Sequence, residues 1–118
     1  MLFTQKSEVD IHEMSPLALA FVGDAVLELL VRARLVGTTR LQPNRLHTVA
    51  THYVSAHAQN LELDIIEPML TDAEAAVLRR GKNASKATVA KHATVQEYRA
   101  STGFECLLGW LYLNGQLD

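Results

Sequence analysis

Cysteine is almost absent from this chain, which has only Cys106 among its 118 residues. A single cysteine excludes an intramolecular disulfide, and its apolar neighbours Phe104 and Leu107 predict a packed thiol rather than a nucleophile. A large net charge is absent as well, because the formal value is −2. The chain as a whole therefore has no attraction for nucleic acid or an anionic membrane, and any such attraction must come from a local cluster of charges.

Long hydrophobic runs are also missing. The most apolar segment, residues 17–36, is interrupted by two acidic and two basic side chains, which argues against a membrane span. The start of the chain shows neither the basic residues nor the apolar stretch of a secretory signal, so we expect a cytoplasmic protein. The length suits one domain with a substantial core and leaves no room for a second recognition domain. We therefore expect a single domain over residues 1–118.

Strict alternation of apolar and polar residues, the pattern of a half-buried strand, does not occur, whereas apolar residues recur at spacings of three and four. The predicted fold class is therefore all-α. We expect a first helix from Pro16 to about Val36, apolar nearly all round and hence central in the fold. A second helix is expected from Pro43 to about Asn60, followed by a short helical piece that ends at Pro68.

Two capping-box patterns, Thr-x-x-Glu at positions 71–74 and 94–97, mark two further helix starts. We expect the first of these helices to stop at Gly81. The second should run over residues 95–113 and end on Asn114-Gly115, a sequence suited to a left-handed cap. The connection between them, residues 81–93, has a length that is uncommon without a functional or disordered explanation.

Two carboxylates stand out because each lies in an apolar helical segment far from the other: Asp24 and Glu105. Removing an ionised carboxylate from water costs several kcal/mol unless a cation, a metal or hydrogen bonds compensate. Each segment also holds a glycine, Gly23 or Gly109, which costs roughly 1 kcal/mol in a helix interior. We hypothesise that the two helices cross closely at these glycines, so that the carboxylates converge.

Alternative interpretations of these carboxylates remain open. Either one could be a core residue that pairs with a cation such as Arg99 or caps a neighbouring helix. The two together favour a Mg²⁺ site, since Mg²⁺ takes one or two carboxylates, several waters and substrate phosphate oxygens. Glu28 is a minor candidate for a third ligand, although an ion pair with Arg32 one turn later is the simpler interpretation.

A basic segment separates the two carboxylates in the sequence. No acidic residue occurs from Ala75 to Gln96, and this stretch carries five of the eleven formal positive charges, Arg79, Arg80, Lys82, Lys86 and Lys91. Taken alone it is typical of a solvated surface. Beside a metal site it predicts contacts with phosphates, because cations hold the backbone while a metal activates water. A nuclease is the function that uses both parts.

Six segments resemble the ribonuclease III family. The segment Phe21–Leu27 is similar to its signature helix, and Phe104–Gly109 is similar to its second carboxylate motif. The other four resemble the Mini branch, which has the catalytic domain without a double-stranded-RNA-binding domain: Pro16–Ala20, Pro43–His47, Arg79–Ala84 and Tyr98–Thr102. This resemblance implies a ribonuclease III-like helical bundle.

The resemblance further implies a Mg²⁺-dependent endoribonuclease that cuts double-stranded RNA, with Asp24 and Glu105 as its catalytic, metal-binding carboxylates. It implies a homodimer through the apolar face of the helix that bears Asp24, and a role in maturation of the large-subunit ribosomal RNA precursor, with a ribosomal protein as a further possible partner. Asn83 joins the basic residues as a candidate RNA contact. Ala20 and Thr102 stand where larger ribonucleases III have acidic residues, so neither is expected to bind metal. The alternative functions are a noncatalytic RNA-binding or ribosome-assembly module, and a protein-interaction domain.

Overall fold

The computed structural model describes residues 8–40, 42–84 and 94–115, and these ranges contain helices and no strand. They form five α-helices: α1 Pro16–Thr38, α2 Pro43–Tyr53, α3 Ala56–Ile66, α4 Asp72–Ala84 and α5 Val95–Leu113. Short 3₁₀ turns lie before α1, at Ile11–Glu13, and after α3, at Glu67–Met69. The all-α prediction is confirmed. None of the described helices is both long enough and apolar enough to cross a membrane.

Most helix ends follow the capping residues in the sequence. At the start of α4, the Thr71 amide donates to Glu74 at 2.8 Å and the Glu74 amide donates back to the Thr71 hydroxyl at 3.2 Å. The equivalent pair of hydrogen bonds before α5 measures 3.0 Å in each direction. α5 ends as predicted, with Asn114 as its cap and Gly115 in the left-handed region at φ +74°.

The prediction of one continuous helix from Pro43 to about Asn60 is wrong. α2 ends at Tyr53, and a new helix begins after Ser55, whose hydroxyl accepts a hydrogen bond from the Ala58 amide at 3.2 Å. Serine is one of the best N-caps because it satisfies an amide that has no partner within the helix. The apolar periodicity continues across this break and conceals it.

The predicted stop of α4 at Gly81 is also wrong, since the helix continues to Ala84. Gly81 is buried, and a Cβ at this position would lie 2.8 Å from the Gly103 Cα and 2.7 Å from the Cys106 Cβ. The glycine therefore lets α4 approach α5 closely rather than ending the helix. Residues 81–84 of the predicted connection are therefore helical, and residues 85–93 lie outside the described ranges.

The central helix is α5 and not α1. α5 packs against α1, α3 and α4, and most of its length is buried. The main core cluster joins four helices and consists of Val26, Leu27, Leu63, Leu78, Ala100, Phe104 and Leu108. α1 covers one side of α5 and leaves several large apolar side chains exposed, namely Leu17, Phe21, Leu29, Leu30 and Val36. The prediction that α1 is the central helix is therefore wrong, because one apolar side of α1 is not covered by the described helices.

Candidate active site

The hypothesis of a close crossing between α1 and α5 is confirmed. A Cβ at Gly23 would overlap the carbonyl oxygen of Glu105, and a Cβ at Gly109 would overlap the carbonyl oxygen of Leu19. Only glycine permits two helix backbones to approach this closely, which explains why both helices accept an interior residue of poor helical propensity. The contact places Asp24, the residue after Gly23, beside the α5 turn that carries Glu105.

The two carboxyl groups interact electrostatically at this crossing. The pKa of Glu105 is raised from 4.5 to about 7, first by burial and second by the negative charge of Asp24. A hydrogen bond from Gln59 opposes this increase in pKa, whereas a hydrogen bond with Asp24 adds to it. A cation bound beside the two carboxyl groups would offset this repulsion.

Burial differs between the two positions. Glu105 is half-buried, as expected for a carboxylate in the core, but Asp24 is exposed. The expectation that both carboxylates leave water is therefore wrong for Asp24. Asp24 lines an open, mainly apolar depression together with Phe21, Leu29 and Tyr112. The pair consequently has an open side, as a site for a macromolecular substrate requires.

No protein cation neutralises the pair within the described residues, where the ion pairs join other groups. Arg99, the alternative partner for either carboxylate, is exposed and makes no ion pair with them. Glu28 bonds to the Arg32 Nε at 3.0 Å, as the simpler interpretation predicts, rather than joining the site. The described part of the chain also brings together no cluster of three His, Cys, Asp or Glu side chains. A metal here would have two carboxylate ligands and fill its other positions with water or substrate, which suits Mg²⁺.

Sequence analysis missed Gln59, whose side chain is 1% exposed. Its Nε2 donates to the Val54 carbonyl at 2.9 Å and to Glu105 Oε2 at 3.4 Å, which makes it a direct neighbour of the carboxylate pair. A signal was present, because Gln59 and Leu63 are spaced as i and i+4 and so lie on the same buried stripe of α3. An amide on such a stripe requires hydrogen-bonding partners in the interior.

The two positions with small residues in place of acidic ones add no metal ligand. Ala20 is buried in a second apolar cluster with Leu19 and Cys106. Thr102 is buried, and its hydroxyl donates to the Tyr98 carbonyl one turn earlier at 3.1 Å. Cys106 packs as predicted, and burial raises the pKa of its thiol to about 11.

The candidate RNA contacts occupy one end of α4. Arg79, Arg80 and Asn83 are exposed there. Lys82 is partly buried, and its Nζ lies 3.4 Å from Glu67 Oε1, so part of its charge is already compensated. Lys86 and Lys91 lie outside the described residues. No hydrogen bond or ion pair described for this end of α4 links it to Asp24 or Glu105, and RNA binding by these residues stays a prediction.

Comparisons with known proteins agree with this arrangement of helices and motifs. The model of the ribonuclease III domain matches residues 17–116. The chain is 46% identical to a Mini-ribonuclease 3 of Enterococcus faecalis over 111 residues, covering 92% of this chain and 84% of the relative. It is 47% identical to that of Symbiobacterium thermophilum over 105 residues, covering 89% and 81%.

A solved structure shows the same fold. A crystal structure of a protein from Fusobacterium nucleatum matches with a TM-score of 0.83 at 31% identity, covering 91% of this chain and 85% of the other. The family match extends over both carboxylate-bearing helices. This chain therefore belongs to the ribonuclease III family, within its Mini-ribonuclease 3 group.

Proposed function

We propose that this protein is a Mg²⁺-dependent endoribonuclease that cuts double-stranded RNA, with Asp24 and Glu105 as its metal-binding and catalytic carboxylates. Membership of the ribonuclease III family makes the chain an endoribonuclease of that type. The single observation that supports the metal assignment is the interacting carboxyl pair, which has no compensating cation among the described residues.

The residues present fit a divalent cation. The negative charge of Asp24 raises the pKa of Glu105, and a cation between the two would remove that repulsion. When bound, Mg²⁺ lowers the pKa of the attacking water and neutralises charge that develops on the phosphate. Asp24 and Glu105 would hold the ion, and Gln59 donates a hydrogen bond to Glu105.

The chain's own residues also account for access and orientation of the substrate. Asp24 is exposed, so a phosphate of the RNA backbone can reach its carboxyl group without an opening motion. Arg79, Arg80 and Asn83 would contact further phosphates from α4, with Lys82, Lys86 and Lys91 as additional candidates. A-form RNA presents its sugars and phosphates rather than a readable major groove, so recognition depends mainly on shape and backbone.

A homodimer would complete the activity on a duplex. The exposed apolar side chains Leu17, Phe21 and Leu29 follow one another along α1 at intervals of four or eight residues and therefore share a face. Burial of that face against its copy would form an isologous interface. Asp24 adjoins the face, so each protomer would place one site near the two-fold axis and the two sites would cut opposite strands.

The natural substrate we infer is the large-subunit ribosomal RNA precursor, processed in the cytoplasm, with assistance from a ribosomal protein as a further possibility. Support for this comes from the Mini branch that the motifs resemble and in which the chain's relatives fall.

The experiment that tests the proposed activity is incubation of the purified protein with a long labelled RNA duplex, in Mg²⁺ or in EDTA, beside an Asp24→Asn variant. We expect cleavage in Mg²⁺ only, and a loss of at least about a hundredfold in the variant, whose binding of the duplex is retained. Asp64→Asn, an exposed aspartate of α3, is the matched control and should cut normally. Binding without cleavage under every condition would instead favour the noncatalytic RNA-binding module.

A further inference from the structure

Gln59 is the most buried polar side chain in the described part of the protein, and it contacts the carboxylate pair. It lies on α3, a helix that contributes neither carboxylate. A third helix is therefore tied to the site through one amide group.

The orientation of this amide follows from its partners. Nε2 donates to the Val54 carbonyl, which can only accept, and to Glu105 Oε2, which accepts when the carboxyl group is ionised. Rotating the amide would bring its oxygen against the Val54 carbonyl oxygen. Both hydrogens of the amide group are thus assigned, one to the chain between α2 and α3 and one to Glu105.

The other end of the same amide has no partner among the described residues, since Gln59 Oε1 is buried and accepts no hydrogen bond. A buried acceptor without a donor destabilises the folded state, and an apolar side chain of the same shape would avoid that cost. Packing alone therefore does not explain a glutamine here. Its two hydrogen bonds do, and of these the one to Glu105 reaches the carboxylate pair.

We propose that Gln59 is a positioning residue that fixes the Glu105 carboxylate in the orientation that binds the divalent cation. This inference rests on the proposed function. The Gln59 hydrogen bond occupies one oxygen of the Glu105 carboxylate and so restricts rotation of that group. Groups that hydrogen-bond a metal ligand in this way set its orientation, and their loss typically weakens metal affinity by about 10–100-fold.

The second hydrogen bond of Gln59 supplies the rigidity that positioning requires. Val54 is the residue after α2, and the Gln59 backbone amide donates to the Ser55 carbonyl at 3.0 Å, within the first turn of α3. Gln59 is therefore bonded to the short connection between α2 and α3 twice, through its side chain at Val54 and through its backbone at Ser55. Glu105 is aligned relative to this connection as well as to its own helix.

The test measures metal binding without RNA. Isothermal titration calorimetry with Mn²⁺, and then with Mg²⁺, is performed on the wild-type protein and on Gln59→Met, which keeps the side-chain length and removes the donor. We expect binding by the variant to be about 10–100-fold weaker. Asn60→Met, the adjacent residue on α3, is the matched control and should bind as the wild type does. Equal affinity in Gln59→Met and the wild type would overturn the role of Gln59.

A failure of the proposed function gives a different result, because the wild-type protein itself would then bind no cation.

A measurement on the wild-type protein also covers the case in which Gln59→Met does not fold. The side-chain amide resonances of Gln59, observed by ¹⁵N NMR, should shift on addition of Mg²⁺, whereas those of exposed Gln96 should not. If the Glu105 backbone amide shifts and the Gln59 side chain does not, the inference is overturned.

Discussion

The Cα of Gly23 lies so close to the Glu105 carbonyl that any Cβ at this position would overlap the carbonyl oxygen. This contact sets the distance between α1 and α5, and it also sets the separation of the carboxyl groups on Asp24 and Glu105. Packing and site geometry therefore depend on the same pair of residues. A change that separates the helices would affect both.

Replacing Gly23 by alanine should destabilise the protein by about 3 kcal/mol, because the clash is with backbone that cannot rotate away. The measurement is urea denaturation. Gly37→Ala is the matched control, since Gly37 also lies within α1 but a Cβ added to it would meet nothing within 4 Å. That control should be stabilised by about 0.5–1 kcal/mol. Equal effects at the two positions would contradict the close crossing.

The raised pKa of Glu105 predicts how stability depends on pH without metal. The folded protein holds this proton more tightly than the unfolded chain, with a pKa of about 7 against an ordinary 4.5. The stabilisation it contributes is fully present below pH 4.5 and is lost as pH rises through about 7. In EDTA, the free energy of unfolding of the wild type should therefore fall over this interval relative to that of Glu105→Gln.

Denaturation midpoints of the two proteins at several pH values measure this difference. Subtracting the variant cancels the titration of the groups that do not interact with Glu105. At pH 8, added Mg²⁺ should raise the melting temperature of the wild type and leave that of the variant nearly unchanged. A constant difference between the two proteins from pH 4 to pH 8 would contradict the raised pKa of Glu105.

Phe21 provides a test of the proposed dimer, because 81% of its surface is exposed on the apolar face of α1. Phe21→Asp should weaken self-association by about a hundredfold or more, since it would bury a charge at the centre of the interface. Sedimentation equilibrium measures the molecular mass. Ile65→Asp, which alters an apolar residue of α3 that is 71% exposed, should leave the mass unchanged. A wild-type protein that remains monomeric would contradict the interface.

The two exposed arginines of α4 should contribute to duplex binding through phosphates. Replacing Arg79 and Arg80 by alanine should weaken binding and lower the slope of log Kd against log salt by about 1 for each residue. Fluorescence anisotropy with a short RNA duplex in EDTA measures binding without cleavage. Arg45→Ala, at an exposed arginine of α2 outside the basic segment, is the control. An unchanged slope in the double variant would remove these residues from the RNA surface.

The sequence by itself determined the features that depend on neighbouring residues. The capping boxes at residues 71–74 and 94–97 define their helices because donor and acceptor lie three residues apart. The helix-interior glycines were informative for a similar reason, since their poor propensity requires compensation that only a close contact provides. Asp24 and Glu105 could be identified as candidate site residues because their neighbours in the sequence are apolar.

The tertiary structure alone decided which of these groups are buried and what they contact. Asp24 is exposed because α1 leaves one side uncovered, and Glu105 is half-buried because other helices pack around α5. Gln59 joins the site across 46 residues of sequence, a separation that no local pattern encodes. Burial and pKa depend on segments brought together only by folding, so the sequence predicted the site's charged groups and the fold set their chemistry.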